Sequence, residues 1–296
     1  MSKSTRRDFL KGALATGTLA GIAPQAFPAK AEKRLATDWV TLGNSGIKVT
    51  RLAFGTGTHG GKVQRELGQE QFTKLVRHAY DRGIRFFETA DSYSGMPEML
   101  SIALKGVPRD SYKLMTKLRP AHADNPTADI DRLRGQLKSE YLDILLVHCV
   151  RTATWNEECK PIRDAFSEAK SKKVILSHGA SCHGLLPLRS LPGNDWLDVA
   201  LLRVNHAGTM MDNMRGDASG GDVSEVTQRI GQVRGQGTGV IGMKLMGEGR
   251  FTKPEERDAA IKYVMKLGTV DSVTIGYKTT AEIDEAIDRI NTHLNS

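Results

Sequence analysis

The chain has 296 residues, 39% hydrophobic and 26% charged, enough for one large core or two small ones and too little polar excess for a disordered protein. Half of the formal net charge of +8 lies in the first 31 residues, where Lys3, Arg6, Arg7, Lys11 and Lys30 face Asp8 alone. The other basic residues are scattered with no aromatic-interleaved run, which argues against nucleic-acid binding. Cys149, Cys159 and Cys182 form no C-x-x-C pair, which argues against a disulfide framework or a cysteine-only metal site.

The first element is an address. A basic segment around Arg6-Arg7 leads into a weakly apolar stretch over 12–23, then Pro24, Pro28 and Ala29-Lys30-Ala31, an A-x-A cleavage pattern. The stretch is too short to span a membrane. Thr5-Arg6-Arg7-Asp8-Phe9-Leu10-Lys11 resembles the bacterial twin-arginine export signal. The resemblance implies a signal peptide over 1–31, a mature chain over 32–296, engagement of the twin-arginine export machinery, and a periplasmic or extracellular site of action. No later segment is apolar enough to span a membrane.

The mature chain opens with "VTLGNSGIKV", a predicted β-hairpin turning at Asn44-Ser45-Gly46. Strand-like and helix-like runs then alternate. Strands are expected at 51–57, 84–90, 112–118, 143–150, 173–181, 198–205, 239–246 and 271–277. Helices are expected at 69–82, 97–105, 127–138, 161–170, 185–191, 223–234, 255–266 and 281–294. Several strands are near-continuous apolar runs, as in a parallel sheet buried on both faces. The spacing predicts an α/β fold, a (β/α)8 TIM barrel behind an N-terminal β-hairpin. An open doubly wound sheet is the competing arrangement, but "GTGTHGG" lacks the G-x-G-x-x-G spacing that it would carry.

In such a barrel the working groups stand at the C-terminal strand ends. Strand two runs into Glu88 and Asp91 with Tyr93 just beyond, strand three ends at Lys117, and strand four at His148. Glu88, Lys117 and His148 each lie two residues after an apolar residue: Phe86, Met115 and Leu146. If those three fill the barrel, alternation aims the ionisable groups into its mouth. Cys149 is then expected to face the helices. A lysine beside a tyrosine favours phenolate and lowers the phenol pKa, a carboxylate holds the lysine, and a neutral histidine orients a carbonyl. Such a set can protonate a carbonyl oxygen while hydride reaches its carbon.

"LGNSGIKVTRLAFGTGT", "AYDRGIRFFETADSYSG", "MTKL", "YLDILLVH", "GVIGMKLMGEGR" and "DSVTIGYKTTAEIDEAI" together resemble the aldo-keto reductases over nearly all of 40–290. The resemblance implies reduction or oxidation of an aldehyde, ketone or sugar carbonyl with NADP(H) or NAD(H). It makes Tyr93 the proton donor, Lys117 its partner and His148 the carbonyl orienter. Glu88 stands where the family has aspartate, with Asp91 as a substitute partner for Lys117. Gly55, Thr56, Gly247 and Gly249 fit backbone approaches to the cofactor, and Ser181 the nicotinamide contact.

Other cofactor positions depart from the family. Cys182 follows Ser181 in place of asparagine, and Leu201 replaces a glutamine. Glu282 replaces the arginine that meets the adenosine phosphate, and Ala286 an asparagine. Glu282 would repel a 2′-phosphate unless Lys244 or Lys278 compensates. Two alternatives stay open. One is a metal-assisted sugar isomerase or lyase using His59, His148, Cys182, His183 or His206, although their spacing fits no standard metal motif. The other is a binding protein that has lost its cofactor. The Gly- and Met-rich stretch 206–222 suits either a flexible loop over the mouth or a disordered connector.

Overall fold

Eight parallel strands close into a barrel because each is apolar on both faces, one turned to the barrel axis and the other to the helices. The structure, a computed structural model, describes residues 33–211 and 221–296. The expected export signal at 1–31 and residues 212–220 of the Gly- and Met-rich stretch lie outside the described residues.

The hairpin forms as expected. β1 (Trp39–Thr41) pairs antiparallel with β2 (Lys48–Thr50), with Val40 opposite Val49. Leu42 and Val49 plug the end of the barrel where the strands begin. The Asn44 amide donates to the Gly237 carbonyl at 2.7 Å. A Cβ on Gly239 would stand 2.6 Å from the Leu42 Cβ, so the plug seats against bare backbone.

The barrel strands are β3 (Leu52–Gly55), β4 (Phe86–Glu88), β5 (Lys113–Leu118), β6 (Leu142–Val150), β7 (Ile175–Cys182), β8 (Val199–Arg203), β9 (Gly239–Met243) and β10 (Ser272–Ile275). They neighbour one another in chain order, and β10 closes on β3. Ala53, Phe86, Met115, Ile144, Leu146 and Leu201 fill the interior, while Phe54, Phe87, Leu114, Leu145 and Val147 face the helices. The alternation that aims Glu88, Lys117 and His148 into the mouth therefore holds.

It fails one residue later. Val147 pairs with Ala180 and Val150 with Cys182, so β6 carries one extra residue in between. Cys149 takes it up with φ 61. It stays out of the helix-facing layer, partly exposed, its sulfur accepting from Arg151 Nε at 3.3 Å. The expectation that Cys149 faces the helices is corrected by this bulge. Cys182 does face them and is buried there.

The outer layer holds α1 (Lys62–Arg65), α2 (Gly68–Asp81), α3 (Met96–Ala103), α4 (Pro126–Leu137), α5 (Trp155–Glu158), α6 (Lys160–Ser171), α7 (Leu185–Arg189), α8 (Val223–Gly235), α9 (Pro254–Leu267) and α10 (Thr280–Leu294). α2 shows the pattern that seats them: Phe72, Leu75, Val76 and Ala79 recur at helical spacing and are buried. Two helices that bear on the mouth have side-chain caps, α8 by Asp222 and α10 by Thr279. α1 and α5 were not expected, since four residues are too few to show a period. No described helix is long and apolar enough to cross a membrane.

Candidate active site

Four adjacent strands carry the site. Lys117 near the end of β5 is almost fully buried, and its ammonium has three partners. Its Nζ pairs with Glu88 Oε1, donates to the Thr89 carbonyl at 2.7 Å and donates to the Tyr93 hydroxyl oxygen at 3.3 Å. An ammonium has three N–H bonds, so all are used. Because the Tyr93 oxygen accepts from Lys117, its own O–H proton is left for another acceptor.

The Tyr93 ring is partly exposed, while its hydroxyl is sunk against Lys117 and Gly57. Gly57 makes that possible, since a Cβ there would stand 2.5 Å from the hydroxyl oxygen. Burial, followed by the Glu88 carboxylate, pushes the phenol well above its ordinary value. This reverses the expected lowering by lysine: Glu88 offsets the ammonium charge, and desolvation of a phenolate outweighs what remains. Burial also lowers the Lys117 ammonium against the pull of Glu88. The free site thus holds a neutral phenol.

His148 stands with its ring edge-on to Tyr93, centroids 5.5 Å apart. Burial brings its pKa down to about 4, so the ring is neutral at physiological pH. Ser92 Oγ lies 3.1 Å from its Nδ1. If that hydroxyl donates, the ring proton sits on Nε2.

Asp91 does not substitute for Glu88. Its Oδ2 accepts the Arg119 amide at 3.0 Å and meets His122 Nδ1 at 2.9 Å, while Oδ1 lies 3.6 Å from His148 Nδ1. Burial opposes its ionisation, but His148, the Arg119 amide and His122 together hold the carboxyl below the usual range. Asp91 therefore holds the loop after β5 through Arg119 and His122, while Lys117 belongs to Glu88.

A cavity of about 410 Å³ runs from Tyr93 and Glu88 along the ends of β9, β10 and β3 toward the start of α10. Gly55, Lys244, Gly249 and Lys278 line it, as do Glu282 and Ala286. Thr56, Ser181 and Gly247, also expected at the cofactor, are buried and are not among its lining residues. The hydroxyls of Thr56, Ser181 and Tyr277 are buried without a hydrogen-bond partner among the described residues. Gly249 has φ 84 with open space where a Cβ would be.

Sequence reasoning missed Glu248. Its Oε1 takes the Lys244 ammonium at 2.6 Å and the His59 amide at 3.3 Å, joining the loops after β9 and β3. Burial opposes the charge, but Lys244 and the His59 amide hold its carboxyl low. An incoming phosphate would seek the same two donors, so Glu248 now stands in for an anion. This cradle and a cavity lined from Tyr93 and Glu88 to Glu282 fit a dinucleotide. At the far end Glu282 Oε2 accepts the Lys278 amide at 2.6 Å, while Glu285 is taken by Arg257 and Arg289.

Of the residues raised for a metal, His148 and His183 are neighbours, with ring centroids 6.2 Å apart. His183 Nδ1 contacts Arg203 at 2.7 Å, and His206 packs on Phe251. Among the described residues no three His, Cys, Asp or Glu are grouped to hold a metal ion.

The model of the Aldo/keto reductase family matches residues 51–296. The chain is 28% identical over 155 residues to a Glycine max protein named as an aldo-keto reductase. That match covers 48% of this chain and 45% of the relative, so it spans less than half of the relative's length. A solved Pseudomonas aeruginosa structure described as an aldo-keto reductase superposes with a TM-score of 0.70 at 18% identity, covering 89% of this chain and 98% of that one. An aldo-keto reductase from Klebsiella pneumoniae in complex with NADPH gives 0.62 at 14% identity, covering 85% and 89%. At those identities the structures speak for the fold.

Proposed function

Since the chain belongs to the aldo/keto reductase family, we propose that it is an NAD(P)-dependent oxidoreductase that reduces the carbonyl of an aldehyde, ketone or sugar, with Tyr93 as proton donor. The observation that carries this reading is the Lys117 ammonium with all three protons engaged, one of them on the Tyr93 oxygen. The bound nicotinamide would supply hydride to the carbonyl carbon. Tyr93 gives its proton to the carbonyl oxygen as negative charge grows there. Lys117, already aimed at the phenol oxygen, stabilises the phenolate left behind. His148 is neutral, and with Ser92 donating to Nδ1 its Nε2–H orients the carbonyl oxygen. A phenol held protonated is the form that the reductive direction starts from. Gly55, Gly249 and the Lys244–His59 pair would hold the dinucleotide, with Glu248 giving way to its phosphates.

The cofactor is NADH in preference to NADPH. Glu282 sits where the family's arginine meets the adenosine phosphate; its carboxylate suits a ribose hydroxyl and repels a 2′-phosphate. Lys244 is committed to the cradle at Glu248 that would take the bridging phosphates, so it does not offset that repulsion. Titration of protein fluorescence should give an affinity for NADH at least about tenfold above that for NADPH, a difference of roughly 1.4 kcal/mol. Glu282→Arg should reverse the order. Wild-type protein that ignores both dinucleotides would overturn the reading.

Residues 1–31 add a proposal about place. The resemblance to a twin-arginine signal supports export of the folded protein to the periplasm. Free nicotinamide dinucleotide is scarce there, so the cofactor would travel inside the barrel. Replacing Arg6 and Arg7 by lysine should leave the chain in the cytoplasm by fractionation. Denaturing release from exported wild type should yield a dinucleotide by mass spectrometry. Export that tolerates both lysines sinks the first point, and exported protein that releases no dinucleotide sinks the second.

A further inference from the structure

Glutamate at position 88 needs a different support from the aspartate it replaces, because its carboxylate sits one methylene further from the backbone. That support comes from two strands away. Thr274, on the inward face of β10, donates from Oγ1 to Glu88 Oε2 at 3.2 Å. The other oxygen, Oε1, takes Lys117. The carboxylate is thus held from both sides, by a hydroxyl and by an ammonium.

β10 and β4 are not neighbours: β3 runs between them. Gly55 is the β3 residue in register with Glu88. A Cβ on Gly55 would stand 2.5 Å from Thr274 Oγ1 and 3.0 Å from Glu88 Oε2. The hydroxyl and the carboxylate therefore meet across β3 only because position 55 has no side chain. Thr274 is buried and β-branched, so few rotamers compete with this one.

We propose that Thr274 is a positioning residue: with Gly55 it accommodates the longer arm of Glu88 and aims its carboxylate at Lys117, and through Lys117 it sets the Tyr93 hydroxyl. The proposal rests on the catalytic reading above. It makes Gly55, Glu88 and Thr274 one unit and assigns the threonine hydroxyl to the reaction without contact with the substrate.

The test uses the full mature chain with NADH and para-nitrobenzaldehyde. Thr274→Val keeps the shape and removes the hydroxyl. It should lower kcat by roughly tenfold to a hundredfold, the usual effect of losing a hydrogen bond to a charged group, while KM and NADH affinity stay within about twofold. Thr274→Ser should restore most of the rate. In Glu88→Asp the shorter arm no longer reaches Thr274, so adding Thr274→Val should change kcat by less than about twofold. Equal losses in both backgrounds, or weakened NADH binding with kcat intact, would overturn the proposal. The wild type, the two single variants Thr274→Val and Glu88→Asp, and their double variant are also compared by urea midpoint. Coupled stability losses support the Thr274–Glu88 contact and additive losses overturn it, even if the wild type proves to bind no dinucleotide and the catalytic reading fails.

Discussion

Replacing Tyr93 by phenylalanine is expected to lower kcat for carbonyl reduction by roughly 10²- to 10⁴-fold, the range that a positioned proton donor contributes. KM for NADH should hardly move, because the ring that lines the cavity remains. The Lys117 ammonium then loses one of its three partners, and no other described group stands where the phenol oxygen did. A second variant reaches the same end without removing a chemical group. Gly57→Ala would place a methyl 2.5 Å from the hydroxyl oxygen and 2.7 Å from the Tyr93 Cζ. The ring must swing away, the 3.3 Å contact with Lys117 opens, and activity should fall to a similar level. A misplacement of about 1 Å is enough for losses near a hundredfold. Stopped-flow or steady-state rates on both proteins, with circular dichroism to confirm folding, decide the matter. A Tyr93→Phe enzyme that kept more than about a tenth of the wild-type rate would remove Tyr93 from the chemistry.

The site was legible where it followed from strand periodicity and hidden where it did not. Glu88, Lys117 and His148 could be placed together because each is two residues beyond an inward apolar residue, and a closed barrel converts that parity into direction. Parity breaks at a bulge, and a bulge leaves no periodic trace, so Cys149 was misplaced. Ser92, Gly57 and Glu248 act through contacts that loops make. Glu248 and His59 are 189 positions apart, and nothing in either stretch names the other. Thr274 was hidden for a different reason: its role depends on the missing side chain of a third residue on an intervening strand. The direction of the Tyr93 shift was also out of reach, because it depends on how far burial outweighs a charge that Glu88 already offsets.

Acid should weaken this protein before its carboxylates are protonated, because two buried histidines and the half-buried His183 resist taking up a proton. Burial brings His148 and His178 down to about 4. Burial, then Arg203 and His148, hold His183 well below its ordinary value. In the unfolded chain a histidine titrates near 6.5. Between pH 6.5 and 4 the unfolded state therefore binds protons that the folded state refuses, and stability falls as pH falls. Above pH 6.5 both states are neutral at these positions and the effect is absent. Below about 4 both His148 and His178 are charged in either state, so their loss levels off. A shift of about 2.5 units gives roughly 3 kcal/mol for each of the two by pH 4, and His183 adds to it. Against a typical domain stability of about 5–15 kcal/mol, that is enough to approach unfolding. His178 offers a control away from the mouth. It stacks on Trp196 with centroids 4.3 Å apart, and its Nδ1 lies 3.5 Å from Asp198. His178→Gln should flatten the fall in urea midpoint between pH 7 and 4.5 by about a third while lowering the midpoint at pH 7. A midpoint that stays level across that interval would mean that these rings gain protons inside the fold, and the neutral His148 on which the proposed carbonyl orientation depends would go with it.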